Sequence, residues 1–232
     1  MQQSAVNDRA EMPAGTLGLV RRMLLPLPAD RRRRRFVQLS LGLLLYGATA
    51  AMLVLARLGL DPWDVLHQGL SRTFGLAIGT WAILISFVVL LGWWPLRARP
   101  GIGTVANAIV VGAVIDLVLS LVGPPHALSA RYALLVGGVL GNGFATGLYI
   151  GAGLGPGARD GLSTAIAARG RSMRVVRTTV EATVLAVGYL LGGTVGIGTV
   201  LYALTIGPIT HRTIPALAVR PPRHAQHAPN AR

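Results

Sequence analysis

The chain has 232 residues, of which 52% are hydrophobic and only 13% are charged, and its mean hydropathy is +0.57. This composition is too apolar for a soluble domain and indicates an integral membrane protein. In such a protein the formal charge of +14 points to arginines that set topology, not to nucleic-acid binding. The absence of cysteine excludes disulfides, thiolate catalysis and cysteine-ligated metals.

Residues 1–35 are polar and end in five consecutive arginines. We expect them to form a disordered basic cytoplasmic tail, because the apolar stretch at 23–27 is too short for a signal peptide. The apolar stretches that follow are each long enough to cross a bilayer as a helix. They are residues 36–56, 76–96, 103–122, 132–152, 173–192 and 197–219. The sequence therefore predicts an all-α polytopic membrane protein with six transmembrane helices and a second disordered cytoplasmic tail at 220–232.

The arginines are distributed unevenly between the two sides of this predicted membrane protein. With the N-terminus in the cytoplasm, 19 of the 22 arginines fall on cytoplasmic segments. Only Arg57, Arg72 and Arg131 fall outside. Because cytoplasmic loops carry the excess of arginine and lysine, this bias predicts that both termini are cytoplasmic, which requires an even number of spans.

Two halves of the chain carry the same short motifs. Gly-Ile-Gly-Thr at 101–104 recurs at 196–199, and Pro62 and Pro156 stand at matching places in the two halves. The halves are residues 36–122 and 132–219, with an external loop at 123–131 between them. Since each half holds three spans, the second must enter the membrane in the opposite sense. This predicts an inverted repeat, which is common among secondary transporters.

Four motifs in combination resemble those of a known family. They are Gly-Leu-Asp-Pro-Trp-Asp-Val-Leu-His-Gln-Gly-Leu-Ser at 59–71, Pro-Gly-Ile-Gly-Thr at 100–104, Arg-Asp-Gly-Leu at 159–162, and Gly-Ile-Gly-Thr at 196–199 followed by Gly-Pro at 207–208. With them the chain resembles the YczE/YyaS/YitT family of bacterial integral membrane proteins. The resemblance implies a six-span protein of the bacterial cytoplasmic (inner) membrane, and it implies no agreed substrate or reaction. One departure is that Gly157 and Ala158 separate Pro156 from the Arg-Asp pair, where the family pattern has proline directly before it.

Two short helices are predicted between the spans, one after Pro62 and one near Asp160. Asp61 is a good N-cap and Pro62 suits the first helical position, so the first short helix should run to about residue 74. It is either an amphipathic helix at the outer interface with Trp63 as its anchor, or a re-entrant half-helix whose positive end points into a cavity. In the second case the glycine-rich segment 151–157 lines that cavity.

The ionisable residues near these helices are the candidates for function. Arg159 is suited to bind a carboxylate or phosphate between two helix N-termini, or it forms a loop ion pair with the N-cap Asp160. Glu181 lies inside the fifth predicted span, as a proton or ion site or as the structural partner of Arg177. Asp116 is a cation or proton ligand, or it reaches the outer surface.

The sequence contains no hydrolase, kinase or metalloenzyme motif, so we expect no enzyme, no cofactor and no metal site. The first hypothesis is a small secondary-type permease or exporter for a small solute, including anionic solutes, by alternating access. The alternative is a membrane accessory or scaffold protein that supports a biosynthetic or signalling partner. The expected partners are the lipid bilayer and a small solute; no nucleic acid is expected, and a homo-oligomer is compatible with the sequence. The candidate binding residues are Arg159, Asp160, Asp61, Asp64, Trp63, His67, Glu181 and Asp116.

Overall fold

The computed structural model describes residue 25 and residues 27–219, and within these ranges all regular structure is helical. The helices are α1 (Arg32–Ala56), α2 (Pro62–Phe74), α3 (Ile78–Trp93), α4 (Ile102–Leu121), α5 (Leu128–Gly151), α6 (Ala158–Ala167), α7 (Met173–Leu190) and α8 (Ile197–Leu217). The all-α prediction is confirmed, and each predicted apolar stretch and short helix corresponds to one helix. Of the predicted tails, 1–35 and 220–232, residues 1–24 and 26 and all of the second tail lie outside the described residues.

Two helices begin earlier than the predicted apolar stretches. Helix α1 begins at Arg32, within the predicted tail, because the arginines favour helix and Arg35 is held by hydrogen bonds to the interior. Helix α5 begins at Leu128, inside the predicted loop at 123–131.

Three helices, α1, α4 and α5, are long and apolar enough to cross a membrane. Helices α2 and α3 meet the same criterion as a pair, although the chain bends by 113° between them. The others fall short for different reasons: α3 alone has 16 residues, α7 carries three charged side chains, and α8 includes the polar residues His211 and Arg212, which lower its mean hydropathy. The chain is therefore a polytopic membrane protein with three or four candidate spans by this measure, and the count of six stays a prediction.

Helix α2 starts as its sequence predicts. The Asp61 side chain accepts hydrogen bonds from the backbone N–H groups of Trp63 (3.0 Å) and Asp64 (3.2 Å), and Pro62 occupies the first turn. Residues 62–69 are all buried, and Trp63 itself is only 8% exposed. Trp63 therefore packs inside the protein, and the interpretation of this side chain as an interfacial anchor was wrong.

The loops that lead into α4 and α8 make the same contact in the two halves. The N–H of Gly103 donates to the carbonyl of Leu154 at 2.8 Å, and the N–H of Gly198 donates to the carbonyl of Leu58 at 2.8 Å. The residue that follows each acceptor is a glycine with positive φ, 122° at Gly155 and 109° at Gly59. A side chain would strain the backbone there, which explains why glycine occurs at both places.

Two arginines bind helix ends in a reciprocal way. Arg35, at the start of α1, donates to the carbonyl of Ala152 after α5 at 2.8 Å, and Arg131, at the start of α5, donates to the carbonyl of Ala56 at the end of α1 at 2.7 Å. Both arginines satisfy carbonyl groups that a helix leaves without partners at its C-terminus. Arg35 also binds the carboxylate of Asp30 at 2.8 Å, and this hydrogen bond lowers the pKa of Asp30.

The helices pack in an order that brings the halves together. Helix α1 packs against α4 and α5, and α5 also packs against α8. On the other side, α2 packs against α3 and α7, and α6 packs against α3, α4 and α7. Each short helix thus lies between elements of both halves, with its N-terminus directed to the same interior region as that of the other.

Candidate functional site

A cavity of about 70 Å³ lies where the two halves meet, and every one of the eight described helices or its N-cap contributes to its wall. It is lined by Tyr46, Asp61, Pro62, Trp63, Ala82, Ser86, Asn107, Ala108, Val111, Gly112, Tyr149, Gly157, Arg159, Asp160, Arg177, Glu181 and Tyr202. This volume accommodates a few water molecules or one ligand of a few heavy atoms, and it is well below the usual size of a pocket for larger ligands.

Arg159 joins the two short helices across this cavity. Its Nη1 lies 3.7 Å from Oδ1 of Asp61, and its Nη2 lies 3.7 Å from Oδ1 of Asp64. The guanidinium also stands over the ring of Trp63, 5.2 Å from the ring centroid, in a cation–π contact. The distances to the carboxylates are longer than the 2.7–2.9 Å of a charge-assisted hydrogen bond. The ion pairs are therefore close enough to attract but are not locked by hydrogen bonds.

Behind Asp61, the first turns of α2 hold a buried polar pair. Oδ1 of Asp64 and Nδ1 of His67 are 3.1 Å apart, one turn along the helix, and His67 is 0% exposed. Nε2 of His67 is buried without a hydrogen-bond partner among the described residues. Buried polar atoms are usually paired in native structures, so this nitrogen is an exception within the site.

Helix α6 supplies the opposite wall. Asp160, in its first turn, accepts a hydrogen bond from the Tyr149 hydroxyl at 2.9 Å. The Tyr149 ring contacts the Tyr46 ring edge to face, with centroids 5.9 Å apart. The predicted loop ion pair of Arg159 with Asp160 is not the arrangement found, because Arg159 contacts the carboxylates of α2 instead.

Arg177 and Glu181 form the predicted structural pair on α7. Nε of Arg177 lies 2.9 Å from Oε1 of Glu181, four residues later, and both side chains are partly exposed. Both residues line the cavity. A partly exposed pair of this kind belongs to the edge of the site and not to its buried centre.

Asp116 is the candidate that the structure places apart from the others. Its two carboxylate oxygens accept hydrogen bonds from the N–H of Gly79 (2.6 Å) and the hydroxyl of Thr80 (2.8 Å). Both donors belong to the first turn of α3, whose N–H groups have no partner within the helix. Asp116 thus caps α3 from a neighbouring helix.

Two contributors were missed by sequence reasoning. Tyr46 lines the cavity, and the fully buried Asn142 accepts a hydrogen bond from the Tyr202 hydroxyl at 2.9 Å. A lone amide in an apolar transmembrane stretch is a signal for an interhelical hydrogen bond, and it could have identified Asn142. Among the described residues, no group of three or more His, Cys, Asp or Glu is arranged to hold a metal ion.

Comparisons with known proteins support this description of a membrane protein. A family of unknown function, DUF6198, matches residues 33–215. An uncharacterised protein of Haemophilus influenzae is 41% identical over 172 residues, which cover 74% of this chain and 79% of the relative. The "Uncharacterized membrane protein YczE" of Bacillus subtilis is 34% identical over 68% of this chain and 74% of its own length. The "Uncharacterized protein YyaS" of the same organism is 29% identical over 78% and 92%.

The relatives named YczE and YyaS confirm the family resemblance that the four sequence motifs predict. No solved structure matches this chain.

Proposed function

We propose that this chain, which belongs to the DUF6198 family, is a small secondary-type permease or exporter of the bacterial inner membrane. In this proposal it moves a small solute by alternating access, its six spans form an inverted repeat, and both termini are cytoplasmic. The observation that carries the proposal is the cavity built jointly by the N-terminal ends of α2 and α6. In transporters with broken helices, such ends bind the solute at the interface of two repeats.

The matched contacts of the two halves support the repeat. The reciprocal arginine bonds at Arg35 and Arg131, and the loop bonds at Gly103 and Gly198, recur at an offset of 95 or 96 residues. A chain with two equivalent halves around one central site can rock one half against the other, so that the site faces the two sides of the membrane in turn.

The difference between the halves supports alternating access. In the first half α3 packs on α4, whereas in the second half α7 packs on α2 and α6. Gly112 of α4 contacts Ile83 of α3, but their counterparts Gly207 and Thr178 are each exposed, and no atom lies within 4 Å of where a Cβ of Gly207 would be. In alternating access, each half would adopt the packing that the other half has now. In this exchange, helix α7 would pack on α8, and α3 would separate from α4.

The transport proposal is tested by expressing site variants in a bacterial host and measuring uptake or efflux over a panel of small labelled solutes. We expect at least one solute to depend on the parent chain, and Arg159→Ala and Asp160→Asn to abolish that dependence. Arg171→Ala, an exposed arginine outside the cavity, is the matched control and should leave transport unchanged. Equal transport by all three variants at equal membrane abundance would remove the site assignment.

The exchange is tested with cysteines, because the chain has none of its own. We expect Thr178→Cys and Gly207→Cys together to become joined by a short bifunctional maleimide in membranes, and the joined protein to stop transporting. The single variants are the controls and should keep transporting after the same treatment. If the double variant is never joined although each cysteine reacts with a single maleimide, α7 does not close on α8.

A different surface favours the second candidate, an accessory or scaffold protein. Residues 31–34 are four exposed arginines at the start of α1, next to the exposed apolar side chains of Val37 and Leu41. Such a surface suits an acidic partner or the anionic headgroups of the cytoplasmic leaflet. Replacing these four arginines by glutamine should abolish an accessory function, while a permease should keep its activity in the same variant.

A further inference from the structure

We infer that the cavity binds a small organic cation, of the class of protonated amines or guanidinium compounds, in the place that the Arg159 side chain now occupies. The inference rests on the proposed transport function for its biological meaning, but it concerns binding and can be tested without transport. It reverses the expectation from the sequence that Arg159 binds an anionic solute, because that expectation assumed that Arg159 has no carboxylate partner.

The first support is the balance of charge. The chain as a whole carries +14, but the wall of the cavity has three carboxylates, Asp61, Asp160 and Glu181, and only two guanidiniums. Since Glu181 is paired with Arg177 at the edge, the remaining wall carries the carboxylates of Asp61 and Asp160 and a single guanidinium, that of Arg159. Asp64 adds a third carboxylate directly behind, 3.7 Å from the same guanidinium. An anion entering this centre would have to approach all three carboxylates.

The second support is the aromatic lining. Trp63, Tyr46, Tyr149 and Tyr202 all contribute to the wall of a cavity of only about 70 Å³. The faces of aromatic rings attract cations, and cages of aromatic side chains bind ammonium ligands in many proteins. Arg159 demonstrates this attraction, because its guanidinium already stands over the Trp63 ring.

The third support is that the Arg159 guanidinium makes no hydrogen bond to the carboxylates that it faces, Asp61 and Asp64. At 3.7 Å from each carboxylate its nitrogens are beyond hydrogen-bond distance, although the carboxylates are buried. Oδ1 of Asp61 caps α2, whereas Oδ2 accepts from no backbone N–H, arginine or hydroxyl group of residues 27–219, and Asp61 is only 3% exposed. A ligand with N–H donors can satisfy this oxygen and stack on Trp63 once the Arg159 side chain swings aside. Arg159 is then a tethered competitor of the solute, and its return to the carboxylates releases the solute, so that it weakens binding but is needed for transport.

The small volume narrows the ligand further. The cavity holds a few heavy atoms, and the Arg159 guanidinium on leaving adds room only for a group of its own size, which admits methylammonium or guanidinium and excludes long polyamines and bulky drugs as fully enclosed ligands. Because a protonated amine and a guanidinium share the same chemistry toward a carboxylate and an indole ring, both are used as probes.

The test is a binding titration of the full-length protein in nanodiscs, followed by tryptophan fluorescence and by thermal unfolding. The probes are millimolar methylammonium chloride and guanidinium chloride, compared with sodium acetate and sodium phosphate at matched ionic strength. We expect the two cations to bind the parent and the two anions to have no effect. Asp61→Asn should weaken cation binding at least tenfold, because it removes the charge that the ligand faces.

The decisive variant is Arg159→Gln, for which the two ligand classes predict opposite results. If the ligand is a cation, removal of the competitor should tighten binding about three- to tenfold; if the ligand is an anion, binding should be lost. Arg177→Gln is the matched control at the edge of the cavity and should change cation affinity less than twofold. Because Arg159→Gln leaves carboxylates unpaired, Arg159→Lys is tested beside it as a folding control and should bind cations as the parent does.

Binding of acetate or phosphate by the parent, or no binding of any probe to a parent that unfolds cooperatively, would overturn the inference. The proposed function fails separately. If cations bind but no solute is moved in vesicles, transport is wrong and the cation site stands. If an anion is moved and Arg159→Gln stops it, transport stands and the cation site is wrong.

Discussion

The pair α3 and α4 and the pair α7 and α8 occupy equivalent places in the two halves, but only the first pair is tightly packed. A Cβ at Gly112 of α4 would lie 2.6 Å from Cγ1 of Ile83 and closer still to the carbonyl of Gly79. At the counterpart, Gly207 of α8, no atom lies within 4 Å of where the Cβ would be. A glycine at the same place in the sequence repeat therefore allows close packing of α4 on α3 in one half, but lies on an uncovered face of α8 in the other.

The same difference explains why the wall of the cavity is buried on one side and partly exposed on the other. On the side of α3 and α4 the wall is closed by Ala82, Ala108 and Val111, which are all buried. On the side of α7 the wall is made by the partly exposed pair of Arg177 and Glu181. The cavity is thus more exposed on the side of the second half than on the side of α3 and α4.

The largest expected effect comes from adding a side chain to the two equivalent glycines. Gly112→Val should lower the free energy of unfolding by about 3 kcal/mol or more, because the new side chain meets the α3 backbone, which cannot give way. Gly207→Val should change it by less than about 1 kcal/mol, because the site is open. Thermal unfolding of both variants in the same detergent measures the difference, and equal losses would show that α8 is packed at Gly207 as α4 is at Gly112.

A second comparison uses the reciprocal arginines. Arg35 is 5% exposed and donates to three backbone carbonyls and to the Asp30 carboxylate, whereas Arg131 is partly exposed and donates to two carbonyls. Replacing either by glutamine removes these bonds and leaves helix-end carbonyls without partners. We expect Arg35→Gln to cost about 2–3 kcal/mol and Arg131→Gln about 1 kcal/mol.

The measurement is again thermal unfolding, with Arg57→Gln as the control, since its side chain makes no hydrogen bond among the described residues. A loss for Arg131→Gln as large as that for Arg35→Gln would contradict the ranking by burial. It would indicate that the bilayer shields Arg131 from water as fully as the protein shields Arg35.

The helices and the start of α2 could be predicted because their signals are local. Apolar stretches, the N-cap Asp61 with Pro62, and the glycines before α4 and α8 act within a few residues. The partners of Arg159 could not be predicted, because Asp61 and Asp64 lie almost 100 residues earlier and meet it only when the halves pack. The reciprocal bonds of Arg35 and Arg131 could have been found from the sequence repeat. The two arginines are 96 residues apart, and so are their acceptors, Ala56 and Ala152.

The smallest expected effect concerns the cap of α3. Asp116 binds the first turn of α3 from α4, and its sequence counterpart His211 lies exposed on α8. Asp116→Asn keeps the shape of the side chain but weakens two charge-assisted hydrogen bonds, which should lower the free energy of unfolding by about 1 kcal/mol. That loss corresponds to a fall in Tm of about 2–4 °C for a chain of this size.

His211→Asn is the matched substitution, and it should leave Tm unchanged, because His211 is exposed and α7 does not pack closely on α8 in this arrangement. The comparison becomes informative when it is repeated on protein whose Thr178→Cys and Gly207→Cys positions have been joined. Closure of α7 on α8 would bring His211 near the first turn of α7, just as Asp116 lies near the first turn of α3. The substitution His211→Asn should then lower Tm. If it still has no effect in the joined protein, the second half does not adopt the packing of the first.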